Sequence, residues 1–262
     1  YCYNILVSGL DDDNGGSDTN ILVRFDVPNK RIDLVSLPRD TLLHNEYRNN
    51  KLNFAYAKGG TELLMEQIEN LLGVPVDFYV TVNLKGFIAL VDQIDGVDFD
   101  IPINMDYDDP YQDLHIHFTK GPRHLNGQEA MEVVRFRHNN DGTGYGTEDI
   151  GRIGTQQAFL KAVAKQLLQI GNVKNIPALV DIFYTYVKTD LTTGNLVWLG
   201  NEALNIGTEN IHFATLPGDG SGYYNKQSVY VLDAQATCDL VNEALNPYNE
   251  ALTLEDMDIL VP

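Results

Sequence analysis

Apolar positions come in strand-length runs at the start of the chain and in helical spacing after it. Tyr3–Leu10 is a mostly apolar run of strand length. Thr19–Val27 and Arg31–Leu37 repeat the β-rich pattern, joined by the turn Pro28-Asn29-Lys30. Between the first two lies DDDNGGSD (Asp11–Asp18), a loop by composition. Leu63, Leu64, Ile68, Leu71 and Leu72 then share one helical face, and Gly73 supplies the stop. Phe78–Val82 predicts a strand, followed by a helix carrying Phe87, Leu90, Val91 and Ile94 and stopped by Gly96. Val97–Ile101 and His115–Phe118 read as short strands on either side of an acidic loop, Met105–Asp113. Asn126 caps a helix reaching Val134, and a Gly-rich loop, Asp141–Gly146, precedes a long helix from Ile150 to Ile170. That helix carries a wide apolar stripe: Phe159, Leu160, Val163, Ala164, Leu167 and Leu168. Further helices alternate with strands at Ile211–Leu216 and Ser228–Leu232. This order predicts an α/β fold, a layered α-β-α sandwich with a central mixed β-sheet. With no internal repeat and no linker, residues 1–262 read as a single domain.

Composition agrees with a folded chain: 44% of residues are hydrophobic and 21% charged. The net charge of −19 opposes nucleic acid and anionic lipid headgroups as general partners. It does not exclude an anionic substrate at a local basic cluster, because charges more than roughly 8 Å apart are largely screened at physiological salt. Cys2 and Cys238 match no metal or redox spacing; a single disulfide and two buried thiols are the alternatives. No apolar run reaches membrane-spanning length. The chain enters strand-like sequence directly at Tyr1, which reads as the trace of a removed anchor or signal segment.

Three constellations carry candidate chemistry. Asp11 ends one strand and Asp18 starts the next, so the loop between them brings both carboxylates to one sheet edge. Magnesium commonly takes one or two carboxylates and completes its shell with water and phosphate oxygens; the alternative is a solvated acidic turn. Arg39-Asp40, in SLPRDT, follows the third strand, where ligand crevices often open, although an exposed ion pair would look the same. Arg135-Phe136-Arg137, read as extended, sends both guanidinium groups to one side and Phe136 to the other. Asp149, Arg152 and Gln156 share one face of the long helix. Three arginines beside a helix N-terminus suit a pyrophosphate, and a structural ion-pair network is the competing reading.

Other chemistries lack their patterns. There is no GxxxxGK[ST] run, no GxGxxG after a strand and no GxSxG elbow. His115 and His117 share a strand face, but the sequence suggests no third ligand for a zinc ion.

The pieces NILVSGLD, GSDTNILVRFD, SLPRDT, KLNFAYAKGG, IDGVDFDIPINMDYDDP, GPRHLNGQEAMEVVRFRH and DIGRIGTQQAFL occur in one order over nearly the whole chain. In this it resembles the LytR–CpsA–Psr family of bacterial cell-wall enzymes. The resemblance implies an extracellular, membrane-anchored domain, tethered by an N-terminal helix that this sequence lacks. It implies a polyprenyl phosphate chain held in an apolar tunnel, with its pyrophosphate gripped by arginines and Mg2+. Transfer of a teichoic-acid or capsular polymer to a peptidoglycan acceptor would follow, the protein acting as a monomer. Carried onto this sequence, Asp11 and Asp18 are the metal carboxylates. Arg39, Arg135, Arg137 and Arg152 are the pyrophosphate contacts, completed by Asp149 and Gln156. Asp40 or Asp149 would accept the proton of the acceptor hydroxyl. Lys51 and Asn53 match a family motif as substrate-binding residues, and Phe159 and Val163 are assigned to the lipid.

The chain also departs from that pattern. Gly16, Leu43 and Thr155 stand where family members usually carry basic residues. The deficit favours, as the main alternative to a transferase, a non-catalytic polyprenyl-phosphate binding module; a prenyl-pyrophosphate pyrophosphatase is a third reading.

Overall fold

The structure, a computed structural model, describes residues 2–10, 15–169 and 176–262. Asp11 and the remainder of 11–14 lie outside the described residues, as do Ile170 and the Leu168 side chain. In chain order the elements are β1 (Cys2–Leu10), β2 (Ser17–Asp26), β3 (Arg31–Ser36), α1 (Leu52–Leu72), β4 (Phe78–Val82), α2 (Leu84–Gln93), β5 (Val97–Ile101), β6 (Met105–Asp109), β7 (Leu114–Phe118) and β8 (Gly121–Leu125). They continue with α3 (Gly127–Arg135), α4 (Glu148–Gln169), α5 (Ile176–Tyr186), β9 (Lys188–Thr189), α6 (Thr193–Ile206), β10 (Ile211–Thr215), β11 (Gly218–Tyr224), β12 (Gln227–Leu232) and α7 (Ala234–Ala244).

The chain forms two compact units. The first comprises residues 1–82, 188–192 and 205–262 and holds a six-stranded sheet of order β10-β3-β2-β1-β4-β9. Its pairing is mixed: β1 runs antiparallel to β2 and parallel to β4, and β3 runs antiparallel to β2 and parallel to β10. This is the central mixed sheet that the sequence predicts. Leu6, Leu22 and Val35 project from it against Leu64, Ile68, Leu71 and Leu72 of α1 and Val241 and Ala244 of α7. The helical stripe read from the sequence is therefore core.

Helix α1 begins before that stripe, at Leu52, and its path is broken at Gly59 and Gly60, the latter with φ 65°. Gly73 ends it in the left-handed conformation, φ 69°, with its N–H donating to Glu69 O. A β-carbon there would collide with the backbone oxygen of Asp256. Gly73→Ala is expected to cost at least about 2 kcal/mol, the left-handed penalty plus the displaced backbone, measured by urea unfolding. An unchanged midpoint would contradict the cap geometry.

The second unit spans residues 83–187 and 193–204. Two antiparallel ribbons, β5 with β8 and β6 with β7, pack with α2, α3 and α4 around Phe99, Phe136 and Phe159. Here the sequence reading needs correcting. The acidic segment Met105–Asp113 is not all loop, because its first half is β6. Its charges sit at alternate positions, so Met105 and Tyr107 face inward while Asp106 and Asp108 face water. β8, β9 and β11 were also unread, since GPRHL and GDGSGYY carry little β-branched apolar content.

Both cysteines are free thiols, not a disulfide. Cys2 Sγ contacts Asp26 Oδ1 at 3.4 Å, and the buried Cys238 Sγ contacts Leu252 O at 3.4 Å. Among the described residues no helix is long and apolar enough to cross a membrane.

Candidate functional site

In the first unit the motif residues are assembled by one tight turn. Leu37 N donates to Asn20 O at 2.8 Å, carrying the β2–β3 pairing one residue past the strand. Pro38 then begins a turn in which the Thr41 amide and hydroxyl both donate to Pro38 O, at 3.0 and 2.6 Å. Asn53 N donates to Arg39 O and Leu52 N to Thr41 O, each at 3.0 Å, tying this turn to the start of α1. Arg39 thereby faces the first residues of β2, its Nη1 2.5 Å from Asp18 Oδ1. Asp40 Oδ1 lies 3.3 Å from Lys51 Nζ and 3.6 Å from Arg39 Nε. The result is an alternating chain of charges, Asp18–Arg39–Asp40–Lys51. Arg39 and Asp18 are only 15% and 20% exposed, so their attraction is less screened than on an open surface. Asn53 Oδ1 is buried with no hydrogen-bond partner among the described residues.

In the second unit, α3 ends at Arg135, so Arg135 is helical rather than extended. The chain turns at Phe136 (φ −57°, ψ 134°), which is 1% exposed and packs edge-on to Tyr145, with centroids 5.6 Å apart. Phe136 is buried, and Arg135 and Arg137 on either side of it are half-buried; the alternation expected of an extended Arg135–Arg137 does not apply once Arg135 is helical. Arg135 Nη2 donates to Gln112 Oε1 at 2.9 Å, while Arg137 Nε is buried with no hydrogen-bond partner among the described residues.

Helix α4 presents Asp149, Arg152, Gln156, Phe159 and Val163 at helical spacing. Arg152 Nη2 donates to Asp149 Oδ1 at 2.5 Å, and Arg152 is 4% exposed, an unusual place for a guanidinium. Gln156 Nε2 donates to Val134 O at 3.2 Å, fastening α4 to the end of α3. Phe159 is a core residue, with its ring 5.7 Å from Phe87 and 5.8 Å from Phe99, and Val163 lies at the margin of the same cluster. Tyr145, which the sequence reading passed over, accepts from Thr155 Oγ1 at 2.7 Å, and burial raises its pKa.

The departures from the family pattern are built into the packing. Leu43 is 2% exposed in the apolar core of the first unit, and Thr155 is taken by Tyr145. Gly16 is buried but has no left-handed backbone; a β-carbon there would sit 3.2 Å from Asn53 O. The left-handed glycine is its neighbour Gly15, φ 64°.

The third ligand missing from the histidine pair is present. Asp108 Oδ1 lies 2.6 Å from His115 Nδ1 and 3.1 Å from His117 Nε2. The hydrogen bond to Asp108 raises the pKa of His115, and one to Asp106 raises that of His117. The bond from His115 in turn lowers that of Asp108.

The LytR_cpsA_psr family pattern matches residues 2–246. The chain belongs to this family. Among curated relatives, the polyisoprenyl-teichoic acid–peptidoglycan teichoic acid transferase TagV of Bacillus subtilis is 32% identical over 248 residues. That match takes in 90% of this chain but only 61% of TagV. Regulatory protein MsrR of Staphylococcus aureus is 30% identical over 220 residues, 82% of this chain and 64% of MsrR. The crystal structure of Bacillus subtilis TagV superposes with a TM-score of 0.79 and 27% identity, covering 99% of this chain and 98% of that one. The α/β sandwich is thus shared with this LytR–CpsA–Psr relative over essentially the whole chain.

Proposed function

We propose that this LytR–CpsA–Psr chain transfers a phosphate-linked glycopolymer, of teichoic-acid or capsular type, from a polyprenyl-pyrophosphate carrier to a peptidoglycan hydroxyl. The observation that carries the reading is where the family motifs place their charges. Arg39 and Arg152 are mostly buried and Arg137 is half-buried, and Arg137 Nε and Asp149 Oδ2 have no hydrogen-bond partner among the described residues. Buried charged groups are ordinarily satisfied, so the open Arg137 donor points to an anionic ligand, while the open Asp149 oxygen calls for a donor or a cation. Orphaned atoms also occur elsewhere, at Asn4, Thr237 and the Arg24 guanidinium of β2; those of Arg137 and Asp149 are the ones that fall on residues the family resemblance assigns to substrate. The relative TagV is named for this transfer. The resemblance further supports a monomer at the extracellular face of the membrane, anchored outside the described residues, with residues 1–262 working as one catalytic domain.

In this reading the arginines hold and neutralise the pyrophosphate oxygens, the larger part of catalysis for phosphoryl transfer. The acceptor oxygen bonds to the phosphorus bearing the glycopolymer. The anhydride P–O bond breaks, and polyprenyl phosphate leaves with its electron pair. The acceptor proton passes to a carboxylate, either Asp40, oriented by Lys51 and Arg39, or Asp149, oriented by Arg152. Lys51 and Asn53 would orient substrate, and Phe159 and Val163 would yield to the lipid.

Asp18 suits one ligand position for Mg2+. A carboxylate offers about four lone-pair sites, so a guanidinium on Oδ1 leaves capacity for a cation, with Asp11 as the expected second ligand. When bound, the ion adds charge neutralisation at the pyrophosphate.

The test is lipid-linked glycopolymer incubated with the protein and Mg2+, with and without peptidoglycan. Polymer joined to peptidoglycan only when the acceptor is present supports transfer. Release into water alone marks a pyrophosphatase. Retention of intact lipid marks a binding module, a reading favoured by Leu43 and Thr155 occupying usually basic positions and by the regulatory name of MsrR.

Gly16→Arg restores one such charge beside Asp18. Prenyl-pyrophosphate binding is expected to tighten about threefold to thirtyfold, one charge-assisted contact less the cost of easing Asn53 O away, with the gain fading as salt rises. A folded variant with unchanged affinity would count against a pyrophosphate contact here.

A further inference from the structure

The acidic hairpin β6–β7 carries a second constellation, made of residues that the transfer reading above does not use. Strand register sets Asp106 opposite His117 and Asp108 opposite His115, and alternation puts all of them on the exposed face. The other face, with Met105, Leu114, Ile116 and Phe118, is buried in the core and fixes the register. The outer edge of β6 is also held. Asp106 N and Asp108 N donate to Asn139 Oδ1 and Asn140 Oδ1, each at 2.7 Å, and Asn140 Nδ2 returns a bond to Asp108 O at 3.1 Å.

We infer that Asp108, His115 and His117 form a binding site for a zinc-class divalent transition-metal ion. Their ligand atoms lie within 4.8 Å of one another. A tetrahedral zinc with bonds of about 2.0–2.2 Å holds its ligand atoms roughly 3.3 Å apart, so small side-chain rotations suffice. Both imidazoles already have the outer partner that a metal-bound histidine uses. His117 Nδ1 faces Asp106 Oδ1 at 2.8 Å while Nε2 faces Asp108. His115 Nε2 faces Asp113 Oδ1 at 3.3 Å while Nδ1 faces Asp108. A carboxylate behind each ring fixes the tautomer and raises the basicity of the inner nitrogen. Two imidazoles and one carboxylate favour zinc or copper over magnesium, which prefers oxygen ligands and octahedral geometry. Elsewhere His44 and His124 meet one aspartate side chain each, Asp258 and Asp98. A bound ion would also stiffen the hairpin whose Gln112 supports Arg135.

The test uses the purified chain freed of metal and titrated calorimetrically with Zn2+ in excess Mg2+. The expected result is one equivalent bound per chain. Binding should weaken at least tenfold in Asp108→Asn, His115→Gln and His117→Gln, and stay unchanged in His44→Gln. The three ligands are about half exposed, so the variants should keep the metal-free melting temperature. Visible absorption of bound Co2+ in the unmodified protein reports tetrahedral imidazole coordination without any substitution. Zinc binding equal in the unmodified protein and a His115→Gln/His117→Gln variant overturns the site, as does displacement of zinc by equimolar magnesium.

Discussion

On the transfer reading, Asp18→Asn is expected to lower magnesium-dependent cleavage of the carrier pyrophosphate by about a hundredfold or more, since losing even an outer partner of a metal ligand costs about tenfold to a hundredfold. The change keeps the side-chain shape and removes one negative charge, the property a hard cation needs from a ligand. It also loosens Arg39, whose Nη1 lies 2.5 Å from the Asp18 carboxylate. The Asn oxygen can still accept from Arg39, so stability should fall by no more than about 2 kcal/mol, the scale of one partly exposed charged hydrogen bond. Varying Mg2+ separates the two effects. A lost ligand raises the metal concentration needed for half-maximal rate. A misplaced Arg39 lowers the rate at saturating metal. Full activity at the original magnesium requirement would remove Asp18 from the metal assignment.

What the sequence revealed depended on whether a residue's role is local or set by packing. Strands β1 to β4 were readable because they are short, mostly apolar runs of strand length, buried at consecutive positions as in a strand covered on both faces. The Asn126 cap was readable because its side chain accepts from Glu129 N, three residues on, and nothing distant is involved. β6 was missed because its charges outweighed its alternation, and the metal triad was missed with it. Asp108 becomes the partner of His115 only once β6 and β7 are placed in register. Among the candidate residues, the pairing of Asp149 with Arg152 follows from helical spacing alone. That of Asp18 with Arg39 needs the turn after β3 to fold onto α1. The burial of Arg152 had no sequence signal, because helical spacing fixes a face and not what covers it.

That burial sets the second large effect. Arg152→Ala is expected to destabilise the fold by about 3 kcal/mol, the low end for removing one partner of a buried ion pair, because Asp149 is still 21% exposed and part of its charge reaches water. Transfer activity should be lost as well, but on its own that loss proves nothing, since a weakened fold would also be less active. A double variant, Arg152→Met with Asp149→Leu, separates the two. It replaces both charges by apolar groups of similar volume, a change that is often neutral or stabilising. Chemical denaturation should therefore show most of the stability restored. Prenyl-pyrophosphate binding should stay weak, because methionine offers no donors to a phosphate. Recovery of stability without binding places Arg152 on the substrate. Recovery of both would make Asp149 and Arg152 a purely structural pair, leaving the anion to other arginines of the motifs.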